Sequence, residues 1–358
     1  MVNKEESVAL IRDLSNANGV SGFEDEVVRV ATDYVQPYAQ VTEDHMRNLR
    51  IDRHGNTQIK PQLQLDAHSD EVGYMIQAIK PNGTMRFVTV GGQAAVTLPA
   101  HKVRIRNNQG DYIPGIITST PPHFMTAEER RTLPPVSALT IDVGATSADE
   151  VRDKFGIDIG APAVPAVDFE YIAQSDVMMG KAFDNRIGTA LLLQTIKELA
   201  EKELAVDVVG SLSSQEEVGE RGAQVMVRKI KPDLAIVFEG APADDTVMPD
   251  YMIQTGMHRG PMLRDFDTSI IASPRFQALA LKTAKDNGIK VQRSVRTGGG
   301  NDGAVINLYA GAPTIVISVP VRFAHTAYCY VAYDDYAAAK KLAVALIEGL
   351  TPETIAAL

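Results

Sequence analysis

The chain has 358 residues, a length that suggests either more than one domain or one large domain with an insertion. Its formal net charge of -10, with no basic run, argues against a nucleic-acid partner, and no apolar run approaches the roughly 20 residues that cross a membrane. The single cysteine, Cys329, excludes an internal disulfide framework, and the charged N-terminal residues lack a signal-peptide pattern, so we expect a soluble cytoplasmic protein.

The first 70 residues predict two helices followed by short strands. Apolar positions at helical spacing predict a helix over 4–17. A second helix is indicated by Ser21 and Glu24, which match a capping box, although a chance serine in a loop is the alternative. Strand-like segments follow at residues 41–44, 51–52, 57–59 and 63–66. The last of these leads directly to His68.

Residues 71–167 have a different pattern, in which helical periodicity is scarce. Runs rich in valine and isoleucine alternate with glycine, proline and asparagine turns, at residues 72–79, 85–90, 102–106, 112–117 and 139–143. Such a pattern is typical of a small all-β unit, here with one short helix over 149–155. We therefore predict an all-β domain inserted between residues 1–70 and 168–358.

From residue 168 onward, predicted strands and helices alternate. Helices are predicted at 185–202, 222–229, 274–287, 303–310 and 334–350, and strands at 206–212, 233–239, 289–295 and 313–319. The alternation predicts an α/β fold with a largely parallel sheet covered by helices.

Side chains able to bind metals stand just beyond several of these strands. They are His68 with Asp70, Glu216 with Glu217, Glu239 and His325, and they are joined by Asp184 at the start of a helix. In open α/β sheets, sites form where the carboxyl ends of the strands converge. Two imidazoles and three carboxylates can hold two divalent metals with one carboxylate bridging them, which leaves a further carboxylate as a proton shuttle.

Each candidate also has a plainer interpretation. His68 and Asp70 point the same way in an extended chain, so Asp70 can hold the ring, but a histidine in a polar surface turn is the alternative. Asp184 could equally be a helix N-cap. Glu216 and Glu217 could be a solvated surface pair, although they follow a buried strand and precede a glycine. Adjacent side chains diverge, so one can bind metal while the other faces substrate, and their spacing does not say which.

Three further features stay open from the residues alone. Glu239 could be a strand-end charge that faces water, and His325 could be a core or loop histidine. The glycine-rich stretch 298–302 lacks the spacing of a phosphate loop or a dinucleotide fingerprint. It either brings the backbone close to the site or forms a plain turn. Arg296 and Arg322 could favour acidic substrate side chains or could be structural.

Five segments together resemble the M42 family of metallo-aminopeptidases, which includes glutamyl aminopeptidases and the tetrahedral TET peptidases. The segments read DAHSDEVG (66–73), GKAFDNR (180–186), SSQEEVGERGA (213–223), VFEG (237–240) and FAHT (323–326). Their order and approximate spacing match, and the resemblance covers essentially the whole chain. It implies a two-metal exopeptidase-like fold with an inserted PDZ-like dimerisation domain.

The resemblance also implies a role for each residue. His68 and Glu239 are implied as ligands of one metal, His325 and Glu217 as ligands of the other, and Asp184 as the bridge. Asp70 is implied to orient His68, and Glu216 to act as the general base. One departure is Glu239 itself, because many family members have aspartate there, and the position varies with reaction type in related hydrolases.

The implied activity is removal of the N-terminal residue from short peptides, with a metal-bridged water as nucleophile. Two divalent ions per subunit are implied, with zinc first and cobalt or manganese as alternatives. Dimers assembling into a homo-oligomeric dodecamer are also implied. The alternatives are another two-metal amidohydrolase, such as a deacylase or a carboxypeptidase-like enzyme, and a catalytically idle assembly protein on the same fold.

Overall fold

The helices begin and end close to their predicted positions, except for the short helix at Pro352–Ala356, which was not predicted. In this computed structural model, which describes residues 2–358, they are α1 (Lys4–Asn16), α2 (Asp25–Val35), α3 (Ala148–Asp153), α4 (Phe183–Leu199), α5 (Arg221–Ile230), α6 (Pro274–Asp286), α7 (Asp302–Ala310), α8 (Tyr333–Glu348) and α9 (Pro352–Ala356).

The strands belong to three sheets. In chain order they are β1 (Ala39–Glu43), β2 (Leu49–Arg53), β3 (Gln62–His68), β4 (Gly73–Ile79), β5 (Met85–Val90), β6 (Lys102–Arg106), β7 (Tyr112–Thr118), β8 (Thr140–Asp142), β9 (Pro162–Pro165), β10 (Glu170–Ile172), β11 (Val177–Gly180), β12 (Asp207–Ser213), β13 (Leu234–Pro242), β14 (Met262–Phe266), β15 (Gln292–Val295), β16 (Thr314–Val321) and β17 (Cys329–Ala332). The smallest sheet has three strands in the order β10-β11-β17.

The main sheet is mixed, with a parallel centre. Its strand order is β1-β2-β12-β3-β13-β16-β14-β15. The neighbours β12, β3, β13 and β16 run parallel, whereas β2 pairs antiparallel with β12, and β14 pairs antiparallel with β16. The prediction of a largely parallel sheet therefore holds for the central strands and for the edge pair β14–β15, which α6 connects, but not for the hairpin β1–β2 or for the junctions β2–β12 and β14–β16.

Helices bury both faces of the central strands. In β13, Ile236 and Phe238 belong to the main hydrophobic core, whereas Ala235 and Val237 belong to a second core on the opposite face. This division follows from the alternation of side chains along a strand. The helix α4 packs on the first face between α1 and α8, and α5 and α7 cover the second. The cover on both faces explains why β13 and β16 are largely apolar along their length.

Strands β4–β9 form a separate closed barrel, in the order β4-β5-β8-β7-β6-β9. The barrel has its own hydrophobic core, in which the rings of Tyr74 and Phe87 meet edge to face at 5.3 Å between centroids. Because the barrel is closed, each of its strands has a paired neighbour on both sides. The barrel falls inside the predicted all-β stretch.

Two local predictions were wrong. Ser21 and Glu24 do not form a capping box, because the Ser21 hydroxyl donates to Asp70 and Glu24 makes no side-chain cap bond. Residues 57–59 do not form a strand, because the Thr57 amide donates to the Asp207 carboxylate instead of to a neighbouring strand. Ser21 and Thr57 are each hydrogen-bonded to a carboxylate far away in the sequence.

Candidate metal centre

The fold brings all seven predicted site residues to one edge of the main sheet. His68 is the last residue of β3, and Glu216 and Glu217 form a tight turn just after β12. Glu239 lies toward the end of β13. Since these three strands are parallel neighbours, their carboxyl ends share an edge.

Asp184 and His325 reach this edge from a helix and from a turn. Asp184 lies in the first turn of α4, and His325 lies in the turn between β16 and β17.

Asp184 lies between the two imidazoles. Its Oδ1 is 3.2 Å from Nε2 of His68, and its Oδ2 is 3.2 Å from Nε2 of His325. Each carboxylate oxygen thus faces a different ring, which is the arrangement that a bridging carboxylate requires. Asp184 does not act as a conventional N-cap, since the cap position is Ala182.

A glutamate stands beside each imidazole. Glu239 Oε2 is 3.8 Å from Nε2 of His68, and Glu217 Oε1 is 3.4 Å from Nε2 of His325. Potential ligand atoms lie within 4.8 Å of one another in two groups that share Asp184, one on each side. His68 with Glu216 and Glu217 meets the same distance limit, so distance alone does not separate Glu216 from the ligands.

Negative charge dominates this edge. Burial raises the pKa of Glu217 and of Glu239 well above the ordinary range, and the nearby Asp184 carboxylate adds to both shifts. The Oε1 atoms of both glutamates are buried without a hydrogen-bond partner among residues 2–358. Buried carboxylate oxygens without partners are costly, and a divalent cation would satisfy them. The donor set therefore fits divalent metals.

The imidazoles respond to the same charges. Burial acts to lower the pKa of His325, but the carboxylates of Asp184 and Glu217 outweigh it and raise that pKa to about 10. For His68, burial is likewise outweighed by Glu216 and Asp184, and the pKa lies well above its usual value.

Each ring has an acceptor on its far side, hydrogen-bonded in the case of His325 and at ion-pair distance in the case of His68. Asp70 Oδ1 is 3.3 Å from Nδ1 of His68, and Nδ1 of His325 is 2.8 Å from the Gly92 carbonyl oxygen. Because a carbonyl only accepts, Nδ1 of His325 carries the proton in this contact. In both rings Nε2 faces the centre, as expected of metal-binding histidines whose other nitrogen faces an acceptor.

Asp70 is itself held by three donors. It accepts from the Ser21 hydroxyl at 2.6 Å, the Glu216 amide at 3.0 Å and the Glu217 amide at 3.2 Å. Asp70 thereby connects the His68 strand to the Glu216–Glu217 turn. Sequence reasoning missed Ser21, which it assigned to a cap, and Gly92, whose contribution is a main-chain carbonyl that no side-chain pattern reveals.

Glu216 is the remaining acidic group at the centre. Burial raises its pKa to about 7, with His68 opposing the shift and Asp70 and Asp184 adding to it. Its Oε2 is 3.9 Å from Nε2 of His68. A carboxylate with a pKa near neutrality is suited to both accept and return a proton.

A cavity of about 460 Å³ opens from these residues. The glycine-rich stretch lines it through Gly298, Gly299 and Gly300, so this loop does approach the site. Arg296 also lines the cavity, and its guanidinium donates to the Pro242 carbonyl at 2.8 Å. The guanidinium of Arg322 instead pairs with Asp245, at 2.7 Å.

Within residues 2–358, the helices are too short or too polar to span a bilayer.

The model of the family described as M42 glutamyl aminopeptidase matches residues 48–342. This chain belongs to the M42 family. It is therefore an enzyme, a hydrolase of a metallo-aminopeptidase family, as the sequence motifs predicted.

Three M42-related proteins illustrate the likeness. The glutamyl aminopeptidase of Lactococcus lactis subsp. cremoris is 30% identical, over 97% of each chain. The TET aminopeptidase of Thaumarchaeota archaeon SCGC AB-539-E09 superposes with a TM-score of 0.93 at 35% identity, over 98% of this chain and 99% of that one. The TET1 peptidase of Pyrococcus horikoshii, which can assemble into a tetrahedron or a large octahedral shell, has a TM-score of 0.86 at 26% identity, over 96% of this chain and all of that one.

Proposed function

We propose that this M42 enzyme removes the N-terminal residue from short peptides at a two-metal site. The observation that carries the proposal is Asp184, whose two oxygens each face a different histidine, with a glutamate beside each ring. A site for a single metal would not need a carboxylate shared in this way.

The residues present divide into two ligand sets. We assign His68, Asp184 and Glu239 to one divalent ion, and Asp184, Glu217 and His325 to the other, with zinc as the first choice and cobalt or manganese as alternatives. Such a pair of ions supplies Lewis-acid polarisation and a water of lowered pKa. The unpartnered oxygens of Glu217 and Glu239 support this assignment.

Glu216 is assigned as the general base. It lies at the centre beside His68, and its amide is fixed by Asp70. In this role Glu216 takes a proton from the attacking water and returns it to the leaving amine, so that one carboxylate serves both halves of the reaction. Asp70 acts through His68, whose ring it holds in one orientation.

We further propose the domain roles that the family resemblance implies. Residues 1–70 and 168–358 form the catalytic domain, and residues 71–167 form a PDZ-like dimerisation domain. Two observations support an assembly role for this domain. It has a separate hydrophobic core, and its side chains Phe124 and Leu133 are 79% and 55% exposed. Dimers built in this way would assemble into a dodecamer in the cytoplasm.

One observation favours a second candidate, another two-metal amidohydrolase. Glu239 is one methylene longer than the aspartate common at this position, and it lies 3.8 Å from His68 in the ligand set. A longer carboxylate changes how one ion is held and therefore which acyl groups fit. Peptides with a free N-terminus, an acetylated N-terminus or a blocked C-terminus distinguish the two, because an aminopeptidase cleaves only those with a free N-terminus.

The mechanism is tested by Glu216→Gln. This variant is expected to keep both metals, measured by elemental analysis, and to lose at least about 100-fold in kcat, since it retains shape but no longer accepts a proton. The matched control is Glu203→Gln, a change at an exposed glutamate remote from the cavity, which should leave kcat unchanged. Turnover at the wild-type rate in Glu216→Gln would remove Glu216 from the role of base.

A further inference from the structure

Behind the metal centre lies a cluster of three buried charged side chains that the proposed chemistry does not use. Glu71, Lys181 and Arg186 are each at most 1% exposed. Glu71 Oε1 accepts from Nζ of Lys181 at 2.6 Å and from Nη2 of Arg186 at 3.1 Å. Two cations and one carboxylate are costly to bury, and stability alone gives little reason to keep such a group.

The guanidinium of Arg186 joins two separate segments. Its Nη1 donates to the Leu14 carbonyl at 2.8 Å and to the Ala17 carbonyl at 3.0 Å, both at the end of α1. Its Nε donates to the Ser69 carbonyl at 2.9 Å. The flat, five-donor guanidinium allows one side chain to hold several acceptors at fixed angles.

The Ser69 carbonyl lies between two residues of the metal centre. Ser69 stands between His68, which faces the centre, and Asp70, which orients the His68 ring. One residue earlier, the His68 carbonyl accepts from the Thr189 hydroxyl at 3.1 Å. Two successive carbonyls at the end of β3 are thus bound by side chains of α4.

The same helix carries Asp184, only two residues before Arg186. Lys181 lies three residues before Asp184, and its ammonium donates to the Ala17 carbonyl at 2.8 Å. A small cavity of about 10 Å³ is lined by Glu71, Lys181, Asp184 and His325, so the cluster borders the metal centre directly. The contacts therefore connect the segment that holds His68 to the segment that holds Asp184.

We propose that Arg186, supported by Glu71 and Lys181, is a positioning residue that sets the separation of His68 and Asp184. Those two side chains come from different elements, yet they meet at 3.2 Å. Their register depends on rigid connections behind them, and the hydrogen bonds of Arg186 to Ser69 and to the end of α1 supply such a connection. The inference rests on the proposed two-metal site.

The test is Arg186→Lys, which keeps the positive charge and removes the planar guanidinium with its several donors. Metal-free protein is titrated with zinc or manganese, and the dissociation constant of the ion beside His68 is expected to rise by about tenfold or more, the usual effect of losing support around a ligand. The visible absorption of the cobalt-loaded variant should also change, because that spectrum reports ligand geometry.

The matched control is Arg53→Lys. Arg53 is also buried, and its Nη1 donates to the carbonyls of Leu199, Ala200 and Lys202, away from the cavity. Both variants are expected to lower the melting temperature of the metal-free protein, but only Arg186→Lys should weaken metal binding. A purely structural role for Arg186 would give equal thermal losses with unchanged metal affinity, and that result would overturn the inference.

A second variant covers the case in which Arg186→Lys does not fold. Lys181→Met leaves Glu71 paired with Arg186, so no buried charge loses its only partner. Its dissociation constant for the same ion is expected to rise several-fold, and an unchanged value would overturn the inference. If the wild-type protein fails to bind two ions, the proposed function fails, whereas normal wild-type binding with unaffected variants refutes only the positioning role.

Discussion

Ser21→Ala offers a sharp test of how the metal centre is held. The Ser21 hydroxyl donates to Asp70 Oδ2 at 2.6 Å, and Asp70 is fully buried. Burial acts to raise the pKa of Asp70, but the bonds from His68, Ser21 and the Glu216 amide hold it below the ordinary value. Losing the hydroxyl should raise that pKa and loosen the carboxylate that orients His68.

The magnitude follows from the bonds that remain. A hydrogen bond to a charged group contributes about 1.5–3 kcal/mol, and Asp70 keeps its two backbone donors in the variant. We therefore expect metal-free Ser21→Ala to lose about 1.5–3 kcal/mol in the free energy of unfolding. On the proposal that Asp70 orients His68 as a metal ligand, metal affinity should also fall by roughly 10- to 100-fold.

The assay combines urea unfolding of the metal-free protein with metal titration. The matched control is Ser147→Ala, since Ser147 caps α3 in the barrel by accepting from the Glu150 amide, and its loss should cost about 1 kcal/mol without changing metal affinity. If Ser21→Ala matched this control in both measurements, Ser21 would be an ordinary structural serine, and Asp70 would not depend on it.

Two further predictions concern charge at and near the site. At the proposed two-metal site, His325→Ala removes the imidazole of one ligand set and leaves the set with His68 and Glu239 intact, so elemental analysis should show the content falling from two metals to one. Burial, together with the Asp70 carboxylate, raises the pKa of Glu24 to about 7. A carboxyl group whose folded-state pKa lies above its unfolded value of 4.5 binds more protons when folded. Its ionisation therefore lowers the free energy of unfolding as the pH rises from about 4.5 to 7, by roughly 3 kcal/mol in all. Urea unfolding of the metal-free protein should show this decline in the wild type, and Glu24→Gln, which keeps an acceptor for the Gly22 amide, should make it shallower by the share that Glu24 contributes. An unchanged pH slope in that variant would show that Glu24 is not the group responsible.

The pattern of residues predicted the elements well where local signals were strong. Residues 85–90 and 102–106 form β5 and β6 with the predicted ends, because each is an apolar run bounded by turn residues. Pro274 begins α6 as predicted, since its fixed φ suits a first helical turn. Short strands such as β10 and β11 were missed, because they owe their form to neighbours and not to their own periodicity.

Ser21 shows where local reasoning failed. Its spacing from Glu24 fits a capping box, but a hydroxyl binds the strongest acceptor within reach, and Asp70 arrives from another segment of the chain. No local pattern reports which distant carboxylate will be nearby.

The amino-acid sequence by itself singled out the candidate ligands, because imidazoles and carboxylates are common metal ligands and the strand ends that bear most of them are locally encoded. The tertiary structure alone decided how they pair. Asp184 faces both histidines, and Gly92 reaches His325 from the barrel, because chain segments separated by more than 100 residues pack side by side. Distances between such segments depend on the packing of the whole core, and no short stretch of sequence contains them.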